Sequence, residues 1–265
     1  MPQQQPDPLV FGVLNVTPDS FSDGGRYLDP DAAIGHGQAL VHAGADVVDV
    51  GGESTRPGAV PVHPEEEARR VVPVVRALVA DGIRVSIDTR RASVAAAALD
   101  AGATIVNDVD GGLDPALLRI TAASGADLVL MHSRGPSAAD GGYRDVVAEV
   151  AADLRRRVDA AIAAGVGPDR LVTDPGIGFS KSADENWQLL ASLDALAVDG
   201  LRMLVGVSRK RFLGELVDGD PEARDGVTAV LSALLAERGV WAVRVHDPAG
   251  TRAAIEVARR MRVAV

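Results

Sequence analysis

Three polar side chains, each following a short apolar run, are the residues of this sequence best suited to binding chemistry. They are Asp88, Asn107 and Asp174. A carboxylate that faces two adjacent N–H groups forms a charge-assisted bidentate pair, and a carboxamide can both donate and accept hydrogen bonds. Together these residues predict a site for a heterocycle rich in N–H groups. Each has a structural alternative, because Asp88 alone could cap a helix and Asn107 alone could belong to a turn.

A second set of residues is basic and follows two later apolar runs. One run leads into Ser208-Arg209-Lys210-Arg211, and the other ends in Arg244-Val245-His246. Alternation along a strand places Arg244 and His246 on the same side. Asp247-Pro248 comes next and is typical of the N-cap and first position of a helix, whose N-terminus favours anions. These residues predict a phosphate site, whereas Arg209 and Arg211 are expected to be solvated surface charges.

Two glycine-rich segments, residues 15–25 and 51–58, also carry mixed polar side chains. Loops of this length between a strand and a helix are often lids, so we expect both segments to be moving covers of the site. Asn15 stands at the base of the first segment. Its carbonyl oxygen could bind Mg²⁺, which prefers oxygen ligands and often bridges phosphates.

The elements that must position these residues are eight short apolar runs that alternate with longer stretches of helical spacing. The runs are residues 9–14, 47–50, 85–87, 105–106, 128–131, 171–173, 203–205 and 242–245. This alternation predicts an α/β protein with a parallel sheet, closed at this length into a (β/α)₈ TIM barrel. We expect a single domain over residues 1–265, with the barrel at about 9–262. A doubly wound open sheet is the alternative, but its GxGxxG fingerprint after the first strand is missing.

Helices are predicted over residues 65–79, 93–101 and 146–164, among others. Three of the turns that lead from a helix into a strand contain a glycine, at Gly44, Gly102 and Gly165. Glycine suits the left-handed position that ends a helix. In a barrel of this kind the active site lies at the carboxyl ends of the strands, which is where the candidate residues fall.

Composition limits the function classes. The chain has 265 residues, of which 47% are hydrophobic and 3% aromatic, so aliphatic side chains must fill the core. A net charge of −10 argues against nucleic acid as a partner, and an anionic substrate would need a local positive cluster. There is no cysteine for disulfides or thiolate chemistry. We see no run long enough for a membrane span and no signal peptide, so a cytoplasmic location is expected.

Eight segments resemble, in this order, the dihydropteroate synthase family, and the resemblance runs from Val10 to about Arg260. The combination is highly specific, although one segment alone would not be. The segments are GVLNVTPDSFSDGG, DVVDVGGESTRPGA, VSIDTRRASVA, IVNDVDGG, LVLMHSRG, DPGIGFSK, VGVSRKRFLG and VRVHD.

The resemblance implies a (β/α)₈ barrel transferase of folate biosynthesis. Members of the family join 6-hydroxymethyl-7,8-dihydropterin diphosphate to 4-aminobenzoate, release diphosphate, use Mg²⁺, usually form homodimers and are sulfonamide targets. One alternative is a pterin-binding methyltransferase domain related to corrinoid enzymes, which has no need of Ser208-Arg209-Lys210. Another is a non-enzymatic paralogue, which should have lost several candidate residues.

The resemblance also implies a role for each matching residue. Asp88, Asn107, Asp174 and Lys210 correspond to pterin-binding residues, with Asp88, Asp174 and Lys210 as the catalytic set. The remaining roles are implied in the same way: Arg244 stacks on the pterin and, with His246, meets the diphosphate; Thr55 lies near the diphosphate; Asn15 is the metal ligand; Phe21, Arg56, Pro57 and Ser208 form the aminobenzoate pocket. Three residues depart from the family pattern, namely Asp110, Ser180 and Glu185, and Asp110 adds a charge near the site.

Overall fold

The strands of this computed structural model follow the predicted apolar runs, each extending its run by at most two residues. Described are residues 6–17, 30–53, 61–135, 141–198 and 200–263. The strands are β1 (Leu9–Asn15), β2 (Val47–Gly51), β3 (Val85–Asp88), β4 (Ile105–Asp108), β5 (Asp127–Met131), β6 (Leu171–Asp174), β7 (Arg202–Val205) and β8 (Ala242–Val245).

The sheet closes on itself. Consecutive strands pair in parallel, and β8 returns to pair with β1 from Leu9 opposite Ala242 to Gly12 opposite Val245. The predicted (β/α)₈ barrel is therefore confirmed, and the open doubly wound sheet is excluded because such a sheet has two free edges.

Helices cover the outside of the barrel. Within the described residues they are α1 (Pro30–His42), α2 (Pro64–Ala80), α3 (Ala92–Asp100), α4 (Pro115–Ser124), α5 (Val146–Ala163), α6 (Ala183–Ala191), α7 (Leu193–Leu196), α8 (Asp225–Glu237) and α9 (Pro248–Val263). The predicted spans 65–79, 93–101 and 146–164 match α2, α3 and α5 to within one residue at each end. None of these helices has both the length and the apolar character needed to cross a membrane.

Glycine ends three of these helices as predicted. Gly44, Gly102 and Gly165 have φ angles of 105°, 105° and 100°, a conformation that costs other residues conformational energy. A side chain on Gly102 would also meet Val79 Cγ1 at 2.7 Å, so this turn needs glycine for space as well.

The barrel interior is built in two layers of different chemistry. The lower layer is a buried apolar cluster of Phe11, Val47, Ile105, Val129, Val172, Leu204 and Ala242. Side chains along a strand repeat their direction every two residues. The next inward positions toward the carboxyl ends are accordingly Val13, Asp49, Asn107, Met131, Asp174, Gly206 and Arg244. Four of these seven residues are polar or charged. The apolar cluster thus supports a largely polar layer, called the polar layer, at the carboxyl ends of the strands.

Candidate active site

The polar layer opens into a pocket of about 450 Å³, counting the space that is continuous with solvent. The lining residues are Asp88, Asn107, Val109, Met131, Asp174, Ile177, Phe179, Gly206, Ser208, Lys210, Arg244 and His246. Seven of the predicted site residues are thus brought together from five strands and the segments that follow them.

Arg244 lies across the floor of this pocket between two carboxylates. Its Nε donates to Asp49 Oδ2 at 2.6 Å, and its terminal Nη2 donates to Asp88 Oδ2 at 2.7 Å. Asp88 is therefore not a helix cap, and the N-cap of α3 is Arg91, which makes no side-chain capping bond. Asn107 also binds Asp49, through Nδ2 at 3.0 Å, so it is not a turn residue either.

Asp49 belongs to the hydrogen-bond network beneath the pocket, although the sequence pattern did not single it out. Its side chain is fully buried, and one of its oxygens, Oδ1, has no hydrogen-bond partner in the described structure. The available signal was a charged residue inside an apolar run, where the two-residue repeat turns it toward the barrel axis.

Burial sets the proton affinities of the pocket carboxylates. It raises the pKa of Asp88 to about 7; Arg244 opposes the shift, while nearby Asp49 adds to it. Burial also raises the pKa of Asp174 to about 6, against the N–H of Gly176 and the charge of Lys210. These two acids can change charge near neutral pH, a property more common at functional sites than elsewhere.

The cations of the pocket respond in opposite directions. Burial lowers the pKa of Lys210 to about 8, and the charge of Arg244 contributes to this shift. Burial disfavours the charge of Arg244 too, but Asp49 and Asp88 outweigh it and hold the pKa of that guanidinium above its usual range. Arg244 is therefore a permanent charge, whereas Lys210 is poised closer to neutrality.

Two glycines allow the segment after β6 to shape the pocket. The N–H of Gly176 donates to Asp174 Oδ1 at 2.7 Å, and a side chain there would collide with the carbonyl oxygen of His132. A side chain on Gly178 would meet Lys210 Cδ at 2.7 Å. The Lys210 ammonium can consequently reach the face of Phe179, with Nζ 3.8 Å from the ring centroid.

Lys181 holds this segment from behind and was also missed. Its side chain is 3% exposed, and Nζ donates to the carbonyl oxygens of Gly176 and Phe179, each at 2.9 Å. Nζ also lies 2.9 Å from His132 Nδ1. Burial lowers the pKa of Lys181 to about 7, and burial together with Lys181 lowers the pKa of His132 to about 3. His132 is thus a neutral acceptor that helps anchor the loop.

Ser208 and His246 form a hydrogen-bonded pair at the side of the pocket. The Ser208 hydroxyl oxygen accepts from the His246 backbone N–H at 3.1 Å and lies 2.9 Å from His246 Nδ1. When the hydroxyl donates to Nδ1, the imidazole carries its proton on Nε2, where it can serve an anion. The Asp247 side chain accepts from Gly250 N–H at 3.2 Å, as predicted for the N-cap of α9.

The expectation that Arg209 is a solvated surface charge is wrong. Nε and Nη2 of Arg209 donate hydrogen bonds to the Asp225 carboxylate at 2.8 and 2.7 Å, and Nη1 donates to Glu222 at 2.7 Å. The backbone of Arg209 has a φ of 59°, which is uncommon outside glycine. These acidic partners hold a strained turn that carries Ser208 and Lys210 on either side. Arg211, by contrast, is exposed as expected.

The base of the second glycine-rich segment is tied to the two arginines between β3 and α3. Glu53 accepts from the Val62 N–H at 2.7 Å, from Arg90 at 2.8 Å and from Arg91 at 2.6 Å. Asp110, the added charge, lies 3.7 Å from Arg90 and so joins this network rather than entering the pocket. The predicted residues Phe21, Thr55, Arg56 and Pro57 lie outside the described residues.

The other two departures from the family pattern have local explanations. Ser180 has a φ of 54°, so it occupies a conformation that favours the glycine frequent there. Glu185 forms a capping box with Ser182 at the start of α6 and also accepts from the Tyr143 N–H at 3.2 Å. Neither residue lines the pocket.

Asn15 ends β1 opposite Gly51, at the same rim of the barrel. It is half-buried and stands four residues beyond the inward-facing Phe11, so it also faces the barrel axis. No group of three or more His, Cys, Asp or Glu side chains that could hold a metal occurs within the described ranges. Asn15 therefore offers one amide group at the rim of the barrel.

A closed parallel barrel with carboxylates, an amide and cations at the carboxyl ends of its strands is typical of a barrel enzyme that binds a nitrogen heterocycle and an anion. Comparison with known proteins agrees. Residues 11–246 match the model of the pterin binding enzyme family. The chain is 56% identical over 259 residues to a dihydropteroate synthase of Mycobacterium leprae, covering 94% of this chain and 91% of that protein.

Solved structures give the same result. A dihydropteroate synthase of Xanthomonas albilineans with 4-aminobenzoic acid superposes with a TM-score of 0.92 at 46% identity, over 97% of this chain and 93% of the other. The same organism's enzyme in complex with 7,8-dihydropteroate gives a TM-score of 0.87 at 44% identity, over 97% and 94%. The chain belongs to the pterin binding enzymes and, within them, to the dihydropteroate synthases.

Proposed function

We propose that this chain is the transferase of folate biosynthesis that joins 6-hydroxymethyl-7,8-dihydropterin diphosphate to 4-aminobenzoate. The observation that carries the proposal is the convergence of Asp88, Asn107, Asp174, Lys210 and Arg244 on one pocket. Carboxylate and amide oxygens match the N–H groups on the edge of a pterin, and the Lys210 ammonium can donate to its acceptors. Apolar residues such as Met131 and Ile177 line the rest of the pocket and suit the flat ring.

The reaction is a substitution at the exocyclic methylene of the pterin. The bond from this carbon to oxygen breaks, diphosphate departs with the electron pair, and the aniline nitrogen of 4-aminobenzoate forms the new bond and loses a proton. Positive charge develops on the pterin as diphosphate leaves. Asp88 and Asp174 balance that charge, while Arg244 and His246 meet the departing anion. The uncharged amine needs positioning more than activation.

Mg²⁺ is the proposed cofactor, and Asn15 is the residue that would hold it beside the diphosphate. When bound, such an ion neutralises part of the leaving group's charge. Calorimetric titration of inorganic diphosphate, with and without Mg²⁺, tests this directly. Tighter binding with Mg²⁺ that is lost in Asn15→Ala supports the role, and equal binding in both proteins contradicts it.

A homodimer is the proposed assembly, and exposed apolar side chains on two neighbouring helices support it. Val230 and Leu234 on α8 are 60% and 58% exposed, and Val257 and Met261 on α9 are 58% and 68% exposed. Each pair is spaced four residues apart, so each forms a stripe on its helix. Leu234→Glu should shift the sedimenting species toward the monomer, whereas Leu113→Glu at another exposed leucine should not.

A cytoplasmic location remains a prediction from the sequence.

The central test is diphosphate release by the purified protein. Release should require the pterin diphosphate, 4-aminobenzoate and Mg²⁺ together, and 7,8-dihydropteroate should accumulate in equal amount. The methyltransferase alternative predicts instead a methyl transfer to a corrinoid with no diphosphate formed. Binding of both substrates without product would favour the non-enzymatic alternative.

A further inference from the structure

We infer that Asp49 is a positioning residue of this active site, which fixes Arg244 and Asn107 from beneath the pocket. The inference rests on the proposed function and assigns a part in it to a side chain that no ligand can touch. Asp49 is fully buried and does not line the pocket, whereas its neighbour Asp88 does. Asp49 therefore acts on the substrate without touching it, through the residues it binds and through its charge, which adds to the effect of burial in raising the pKa of Asp88.

The first of these residues is Asn107. A carboxylate only accepts hydrogen bonds, so Asp49 can bind only the amino end of the Asn107 carboxamide, and Nδ2 indeed donates to Asp49 Oδ2 at 3.0 Å. The carbonyl oxygen is then the acceptor that remains for the pocket. Asp49 thus decides that Asn107 presents an acceptor to an N–H group of the ring.

The second residue is Arg244. Its Nε donates to the same Oδ2 atom at 2.6 Å, while its Nη2 binds Asp88 at 2.7 Å. Asp88 faces the pocket and must also serve the substrate, whereas Asp49 does not line the pocket and binds only protein groups. The bond to Asp49 is therefore the fixed anchor that keeps the guanidinium oriented when Asp88 engages a ligand.

The neighbouring strand provides a matched control. Ser86 pairs in register with Asp49, is equally buried, and its hydroxyl also lacks a hydrogen-bond partner in the described structure. Ser86 contacts neither Arg244 nor Asn107 through a hydrogen bond recorded for the described residues. Ser86→Ala consequently disturbs the same layer of the barrel without disturbing the anchored groups.

The test is a double-mutant cycle on kcat/KM for the pterin diphosphate, with Asp49→Asn, Arg244→Ala and the double variant. We expect Asp49→Asn to lower kcat/KM at least about 10-fold and Ser86→Ala to stay within about 2-fold of the wild type. Residues that act through one another are not additive, so Asp49→Asn should cost less in the Arg244→Ala background than in the wild type, and the loss that remains is the part transmitted through Asn107. Multiplying effects, or a wild-type rate for Asp49→Asn, would overturn the inference.

A second variant covers the case in which Asp49→Asn does not fold. Asp49→Glu keeps the charge and moves the carboxylate by one methylene, so a positioning role predicts at least about a 10-fold loss of kcat/KM with retained thermal unfolding. Wild-type kcat/KM in Asp49→Glu would contradict positioning. The failures remain distinguishable, because an inactive wild-type protein refutes the proposed function, whereas an active wild type with undisturbed variants refutes only this role of Asp49.

Discussion

The two ends of the barrel contain the same kinds of ion pair in opposite proportions. At the amino ends of the strands, one buried carboxylate, Asp127, faces three guanidinium groups: Arg84 at 3.2 Å, Arg202 at 3.1 Å and Arg170 at 3.6 Å. The Arg202 guanidinium also stacks on Trp241, 4.6 Å from the ring centroid. At the carboxyl ends, one guanidinium, that of Arg244, is instead shared by two carboxylates, Asp49 at 2.6 Å and Asp88 at 2.7 Å.

This difference indicates that the ion pairs at the amino ends stabilise the fold, whereas those at the carboxyl ends serve the chemistry. At the amino end the carboxylate has cations to spare, and the arginines are partly open to water. At the carboxyl end the acids compete for Arg244, Asp49 keeps an unpaired oxygen, and burial raises the pKa of Asp88 to about 7. A folded protein keeps such a costly arrangement where it serves a ligand, and in barrels that place is the carboxyl end of the strands.

The largest effect is expected from Asp174→Asn, which keeps the shape and removes a charge that faces the pterin. Losing one partner of a buried charged pair costs about 2–5 kcal/mol, so kcat/KM should fall by roughly 30-fold to several thousand-fold. Steady-state kinetics with saturating 4-aminobenzoate measure this, and circular dichroism verifies the fold. Wild-type kcat/KM in this variant would remove Asp174 from the catalytic set.

Asp127→Asn is the counterpart at the other end of the barrel. Removing the carboxylate leaves three arginines facing one another, and because they are partly hydrated we expect a loss of about 2 kcal/mol in the free energy of unfolding. Urea denaturation measures this loss. The kcat/KM should stay within about 2-fold of the wild type. A variant as stable as the wild type but catalytically impaired would reverse the division between the two ends.

The pH dependence of stability and activity should run in opposite directions. Burial raises the pKa of Asp88 to about 7 and that of Asp174 to about 6, so the folded protein binds these protons more tightly than the unfolded chain, in which Asp titrates near about 4. The cost of ionising them is absent below about pH 4 and complete above about pH 7. Their contribution should lower the free energy of unfolding progressively across that window.

Activity should rise over the same pH window, because the pterin requires ionised carboxylates. Urea denaturation of wild type and Asp88→Asn at pH 5 and pH 8 tests the stability part, and the variant should show the smaller change. Measuring kcat/KM from pH 5 to pH 8 tests the activity part. Equal pH dependence of unfolding in the two proteins would show that Asp88 is not the group responsible.

The smallest effect is expected from Ser180→Gly. Ser180 has a φ of 54°, where a side chain costs about 1 kcal/mol or more that glycine avoids. Part of this gain is offset by the greater freedom of glycine in the unfolded chain, so we expect an increase of up to about 1 kcal/mol. The melting temperature should rise while kcat/KM stays unchanged. A lower melting temperature would mean that the Ser180 hydroxyl contributes more than the strain removes.

The strands were predictable from the sequence because each is a short β-branched run bounded by polar or glycine residues. The residues of the polar layer at strand ends, such as Asp88 and Asp174, followed once the barrel was assumed. Asp49 escaped because it lies two residues before its strand ends, so it required the direction of each side chain as well as the strand. The roles of Phe21, Thr55, Arg56 and Pro57 remain predictions.

Lys181 and Arg209 escaped for a different physical reason. Lys181 is buried only because the segment after β6 folds back over its ammonium, an arrangement that depends on Gly176 and Phe179. Arg209 is held by Asp225, 16 residues further along the chain. Local patterns carry no information about such partners, so they predict a solvated Arg209 and do not single out Lys181.

The bonds of Arg244 link residues that are far apart along the chain, since 195 positions separate it from Asp49 and 156 from Asp88. Contacts of such long range form late, because the chain entropy of closing large loops opposes them. Arg244 also lies on the last strand, β8, which pairs with β1 and closes the barrel. A nascent chain still lacking that strand would hold the carboxylates without their shared cation. The active site is therefore complete only after β8 has paired with β1 and closed the barrel.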